Sequence, residues 1–154
     1  MPEEKRAPKQ IKVKSLNDYL EVMSKAVFQS GMSWKVIEAK WPGIREAFDN
    51  FNINKVADYD ERDIERLDQD RRVIRNYRKL MAITSNARKI LVLDKQHGSF
   101  QKYLRAHGDF EETIKALRTD FKFLGPFGIY YFLYVVGERV PSHETFRKKY
   151  GTRS

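Results

Sequence analysis

Two glycines stand three apart in Phe123-Leu124-Gly125-Pro126-Phe127-Gly128-Ile129, directly before the apolar run Tyr130 to Val136. Glycine has no Cβ, so a turn built on two of them lets successive peptide N–H groups converge on an anion at the start of the next helix. The chemistry this spacing offers is phosphate binding by the backbone. A helix C-cap glycine followed by an ordinary turn is the other reading of the same residues. Charge bears on the choice. Thirty Lys and Arg against 21 Asp and Glu in 154 residues give a formal charge of +9, and the phosphate that matches such a balance is a nucleic-acid backbone. An anionic membrane surface is the second partner class, but Ile129 to Val136 is too short to span a bilayer, so no membrane partner is expected.

Other site chemistries are narrowed by what the chain lacks. It has no cysteine, which excludes disulfides and thiolate metal ligands, and its three histidines, His97, His107 and His143, are scattered. Neither a metal nor a cofactor is expected. No secretory signal opens the chain, and a soluble cytoplasmic protein is expected, nucleoid-associated if the source is bacterial. The 41% hydrophobic and 13% aromatic content suits a globular protein, and the length suits one domain.

The elements that must position these residues read as helices. Leu16, Tyr19, Leu20, Met23 and Val27 recur at helical spacing with Ser15 as N-cap and Gly31 as stop, giving a helix from about 16 to 30. Ser33 caps a second over Trp34 to Lys40, and Pro42 opens a third carrying Ile44, Ala47, Phe48 and Phe51. Asp60 caps a short one through Leu67. Val73, Tyr77, Leu80, Thr84, Ala87 and Leu91 mark a long central helix ending before Gly98. Shorter helices are predicted over Phe100 to Ala106, Glu111 to Arg118, Ile129 to Val136 and His143 to Tyr150. The expected fold is all-α, a bundle of many short helices without internal repeat. Residues 1–14, with Lys5, Arg6, Lys9, Lys12, Lys14 and two prolines, read as a flexible basic arm ahead of a single helical domain over 15–154. Such an arm follows a phosphate backbone or is a solvated tail. The segment Asp58 to Asp70 carries seven acidic residues and is expected to face away from nucleic acid.

On these residues the chain resembles a known family. Gln29-Ser30-Gly31-Met32-Ser33-Trp34 is similar to the Gln-x-Gly-Leu-Ser-Trp signature of the bacterial 3-methyladenine DNA glycosylase I family, within the helix-hairpin-helix DNA glycosylase superfamily. Similar stretches follow in the same order: Arg45-Glu46-Ala47-Phe48, Asp63-Ile64-Glu65-Arg66-Leu67, Ile74-Arg75-Asn76-Tyr77-Arg78-Lys79, Asn86-Ala87-Arg88 and Phe121-Lys122-Phe123-Leu124-Gly125. The resemblance covers roughly residues 16 to 137.

The resemblance implies a helix-hairpin-helix glycosylase-like fold that acts in base excision repair of damaged double-stranded DNA, as a monomer. Such proteins extrude the lesion nucleotide into a pocket and hydrolyse its N-glycosidic bond. Leu124 to Gly128 then becomes the hairpin, with Lys122, Gly125, Pro126, Phe127 and Gly128 against phosphates. Gly31 and Met32 fall at the duplex, Met32 as an apolar wedge or merely as a residue packed between helices. Phe28, Gln29 and Trp34 fall around the base pocket. There Trp34 stacks on the purine or, on the plainer reading, belongs to the core.

Departures from the family pattern concern the chemistry. The family's pocket glutamate, three residues before the signature glutamine, is Ala26 here. The family's zinc segment, with its Cys and His ligands and a pocket tyrosine, is expected to be missing. In Val140-Pro141-Ser142-His143 the proline occupies the place of the wider superfamily's catalytic aspartate. A methylated purine is already cationic and a good leaving group, so losing one positioned carboxylate costs on the order of a hundredfold in rate without abolishing cleavage.

Substitute carboxylates are Glu38, which shares a helix face with Trp34, and Glu144. Glu138 beside Pro141 is a further one, and His143 is a phosphate contact, a general acid or simply solvated. Glu21 is turned from Ala26 by about 140° on its helix and is set aside. For Glu38 the plainer reading is an exposed glutamate paired with a lysine. Two functions stand: a glycosylase for alkylated purines, and a catalytically reduced module of the same fold that recognises lesions.

Overall fold

The computed structural model describes residues 7–151. Among them the chain is helical throughout, with no strand: α1 Leu16–Gln29, α2 Trp34–Ala47, α3 Ile53–Ala57, α4 Glu61–Asp68, α5 Tyr77–His97, α6 Phe100–Leu104, α7 Phe110–Asp120, α8 Pro126–Val135 and α9 His143–Tyr150. Polar side chains set most of the starts. Ser15, Asn52, Asp60, Asn76, Ser99, Asp109 and Ser142 each accept a hydrogen bond from a backbone N–H in the first turn they cap. None of these helices is long and apolar enough to cross a membrane.

The described elements differ from the sequence reading in several places: α3 is not among the predicted helices, and Phe48 and Phe51 lie beyond the end of the helix expected to carry them. The predicted break before Pro42 is absent, and α2 runs through the proline to Ala47. A proline inside a helix forfeits one backbone bond and crowds the preceding turn, a cost of roughly 3 kcal/mol. Ile37, Trp41 and Ile44 nevertheless form one buried stripe across it, and their burial offsets that cost. The central helix begins at Tyr77 rather than near Val73, because the side chain of Asn76 accepts from Lys79 N–H at 3.1 Å and caps it there. Val73 is still buried, from the irregular segment ahead of the cap. Finally, Pro126, Phe127 and Gly128 are not part of a turn but form the first turn of α8.

Helix α1 is the shared element of the fold and packs against α8, α5 and α2. Its inner side feeds an aromatic stack in which Phe28 meets Trp41 and Phe48 edge-on, while Phe51 lies parallel to Trp41 and to Phe48 at 5.3 and 5.2 Å. Phe51 reaches that place through a left-handed turn: Asp49, Asn50 and Phe51 have φ of 56°, 57° and 54°. Three consecutive left-handed residues cost roughly 1–2 kcal/mol each, and complete burial of the Phe51 ring offsets part of that cost.

Residues 7–14 lie extended along the end of α8. Ile11 N–H donates to Val135 O at 2.9 Å, and the Gln10 amide donates to Tyr134 O at 2.9 Å. The remainder of the basic arm, residues 1–6, lies outside the described residues.

Candidate functional site

A cleft of about 2140 Å³ opens between the 7–14 segment, α1, α2, the start and outer face of α8, and the loop that leads into α9. Helical periodicity selects its walls. Asp18, Val22, Lys25 and Gln29 follow one another by three or four residues along α1, with Glu21 beside Val22, and Phe127, Tyr131 and Tyr134 do so along α8, with Tyr130 beside Tyr131. Trp34, Glu38 and Trp41 add the facing stripe of α2. The result is an aromatic cleft whose lining also carries Lys9, Lys12, Lys14, Asp18, Glu21, Lys25, Glu38 and Arg147.

Two of these carboxylates are paired. Glu21 accepts from Trp41 Nε1–H at 2.8 Å and from Arg45 Nε–H at 3.3 Å. Glu38 is 2.5 Å from the Lys25 ammonium, which also stands 5.4 Å from the centre of the Trp41 ring. Tyr131 is the group these carboxylates act on. Burial pushes its hydroxyl pKa well above the ordinary phenol value, and the negative charge of Glu38 and then of Glu21 adds to the rise. A hydrogen bond with Gln29 works the other way. Tyr131 is therefore neutral at any physiological pH, and it lines the same cleft as Gln29 and Glu38. At the far wall Tyr130 donates its hydroxyl hydrogen to Pro141 O at 2.7 Å.

The hairpin is built differently from its sequence reading. The residue with left-handed backbone is Phe123, at φ 59°, whereas Gly125 has φ −94° and caps α8 with no side chain. Two bonds hold the turn: Asn86 donates to Lys122 O at 3.1 Å and accepts from Lys122 N–H at 2.9 Å. Pro126 has no N–H, so Phe127 and Gly128 offer the free backbone donors at the head of α8. A Cβ on Gly125 would meet nothing within 4 Å, which leaves that backbone open to a close partner. Gly128 serves packing instead. Its absent Cβ would lie 3.5 Å from Leu124 and 3.7 Å from the Ala26 side chain, where α8 crosses α1.

Of the residues singled out in the sequence, Gln29, Gly31, Trp34, Glu38, Gly125, Pro126, Phe127 and Gly128 all line this cleft. Trp34 is 40% exposed and is not a core residue; the core tryptophan is Trp41. Phe28 is corrected. It is fully buried in the aromatic stack, because one residue of helix turns it by about 100° from Gln29 and away from the cleft. Met32 is half-buried against the core. Lys122 holds the hairpin through its backbone, and the residue is exposed.

The carboxylates beside Pro141 are corrected as well. Glu144 lies outside the cleft, 81% exposed and 3.8 Å from Lys148. Glu138 is drawn away by Arg105 at 2.9 Å. Glu21 proves to be in the cleft despite its angular offset from Ala26, because the cleft is wide enough to take in both residues along with Asp18, Val22, Lys25 and Gln29. The residues missed from sequence are Tyr131, Lys25 and Trp41, together with the 7–14 segment. The tyrosines at 130, 131 and 134 carried the signal, as a half-polar stripe in an otherwise apolar helix.

The helical fold sets an open helix N-terminus beside an aromatic cleft. The 3-methyladenine DNA glycosylase I of Staphylococcus aureus superposes with a TM-score of 0.74 at 26% identity, over 84% of this chain and 80% of that one. A variant of 3-methyladenine DNA glycosylase I in complex with 3-methyladenine gives 0.72 at 26% identity, over 84% and 81%. A solution structure of 3-methyladenine DNA glycosylase I gives 0.68 at 27%, over 85% and 79%. The methyladenine glycosylase family model matches residues 11–120, and the chain belongs to that family. Family and fold together point to a DNA repair protein like 3-methyladenine DNA glycosylase, with a glycosylase-type hydrolase as its class.

Proposed function

We propose that the protein excises alkylated purines from double-stranded DNA, extruding the damaged nucleotide into the cleft and hydrolysing its N-glycosidic bond. One observation carries this: Trp34, Gln29, Tyr131 and Glu38 line the same cleft as the open N-terminus of α8. The α8 donors at Phe127 and Gly128, with Gly125 leaving room, hold a backbone phosphate next to the lesion. Trp34 stacks on the extruded base, and a cationic methylated purine gains further attraction from the indole face. Tyr131 and Gln29 supply hydrogen bonds to the base edge.

Glu38 supplies the carboxylate that Ala26 lacks. As the C1′–N bond breaks, its electron pair goes to the purine, which leaves neutral, and positive charge builds on the sugar ring. A carboxylate in the cleft stabilises that charge and accepts a proton from the water that completes the displacement. The Lys25 ammonium stands 2.5 Å from Glu38 and moderates its charge.

A second reading has its own support. With alanine at position 26 and Glu38 already paired to Lys25, the same cleft suits a lesion-binding protein that cleaves slowly or not at all. Incubation with methylated duplex DNA separates the two. Release of 3-methyladenine above the spontaneous rate, lost in Trp34→Ala, supports the glycosylase. Salt-dependent duplex binding without base release favours the second reading, and absence of binding even at low salt overturns both.

A further inference from the structure

Five Lys and Arg residues line the cleft, and one of them has a carboxylate partner among the described residues. Lys25 is held by Glu38, whereas Lys9, Lys12, Lys14 and Arg147 form no ion pair among those residues. The three unpaired lysines sit on the 7–14 segment, and that segment is fastened at several points. Lys14 N–H donates to the Asp18 carboxylate at 2.7 Å, Ile11 N–H to Val135 O at 2.9 Å and the Gln10 amide to Tyr134 O at 2.9 Å. The last two bonds serve carbonyls at the end of α8, where a helix runs out of its own donors. Val13 packs against the core while Lys12 and Lys14 on either side of it are exposed, the alternation of an extended chain with one face bound. Three like charges fixed along one edge of a cleft, with no carboxylate beside them, suit a polyanion.

The position of the segment says which polyanion. It crosses the C-terminal end of α8, and the free N–H groups of Phe127 and Gly128 stand at the other end, about 12 Å away at ~1.5 Å per residue. Arg147 belongs to that other end, because Phe146 beside it meets Phe127 edge-on at 5.2 Å. One phosphate cannot reach both places. On a DNA strand, whose charges recur every ~3.4 Å along the axis, the same distance spans roughly three to four phosphates. A membrane surface fits less well, since the lysines border a concave cleft and Ile11 is the one exposed large apolar side chain of the segment. We infer that Lys9, Lys12 and Lys14 are a second grip on DNA, holding backbone phosphates roughly three to four nucleotides from the one at the head of α8. The inference rests on the reading of the cleft as the face that takes DNA.

The test is a set of anisotropy titrations of the full chain on two unrelated duplexes over a series of salt concentrations. The variant carrying Lys9→Gln, Lys12→Gln and Lys14→Gln together is expected to bind both duplexes on the order of a hundredfold more weakly at about 0.1 M salt. Its plot of log affinity against log salt should be shallower by about 0.9 for each lysine replaced. The matching triple Lys→Arg variant keeps the charges and should bind as wild type does. A Gln variant with the wild-type slope overturns the inference, and so does an Arg variant that loses as much as the Gln variant. Duplex binding unchanged in the Gln variant, with binding to phosphatidylserine vesicles lost, assigns the lysines to a membrane and overturns it too. In these three cases the proposed function stands. Wild type binding no duplex at low salt would overturn that function and this inference with it.

Discussion

Trp41 donates its indole hydrogen to Glu21 at 2.8 Å, and this bond ties α2 to α1 along the inside of the cleft. Trp41 is largely buried, so removing the acceptor leaves its N–H poorly satisfied. Glu21→Ala is therefore expected to lower stability by about 1–3 kcal/mol. Glu21→Gln should lose less, because the amide oxygen still accepts from the indole. Urea unfolding followed by fluorescence measures both.

Glu38 makes the opposite case. Its side chain is 44% exposed and its ion pair with Lys25 is only partly shielded, so Glu38→Gln should change stability by less than about 1 kcal/mol. If Glu38 stabilises the developing sugar cation, base release from methylated DNA falls on the order of a hundredfold in the same variant. Single-turnover assays on saturating enzyme read that step. An unchanged rate would move the role to another group.

The two glycines of the hairpin should separate cleanly. Gly125→Val places its methyl groups in open space, so stability falls by no more than about 1 kcal/mol, while affinity drops alike for every duplex sequence. Gly128→Val drives its methyls against Ala26 and Leu124 and should cost roughly 1–3 kcal/mol of folding stability. Urea unfolding paired with anisotropy titrations on two unrelated duplexes distinguishes them.

Asp70 supplies a pH prediction. Arg72 donates to its carboxylate at 3.0 and 2.7 Å, which holds its pKa down to about 2 from 3.8. A carboxylate whose folded-state pKa is depressed stabilises the fold above its unfolded value, and that contribution is lost as pH falls through the folded value. The melting difference between wild type and Asp70→Asn should be constant above about pH 5, shrink below pH 4 and vanish near pH 2.

Much of the fold was legible because its signals are local. Ser15, Asp60 and Ser142 cap the helices that their spacing predicts, and the apolar stripe of α1 faces inward as expected. Pro42 misled because its local rule was outweighed by burial on both sides of it, which no window of sequence reveals. The site was harder. Trp34 and Gln29 could be placed on the cleft from their motif, but Phe28, one residue from Gln29, lies on the core side. Glu21 was rejected by comparison with a single position, whereas the cleft takes its wall from a whole stripe of α1. Tyr131 depends on how α8 crosses α1, a contact between positions a hundred residues apart.

The bond from Ile11 to Val135 joins residues 124 positions apart, as does that from Gln10 to Tyr134. One wall of the cleft therefore cannot exist until almost the whole chain has been synthesised, whereas the aromatic stack of α1 and α2 needs only its first third. Closing so long a loop costs little more entropy than closing one half its length, but it orders events. The aromatic stack is available early in synthesis and the wall is among the last parts to be set. A nascent chain thus carries its basic residues on the ribosome without a finished surface on which to hold nucleic acid.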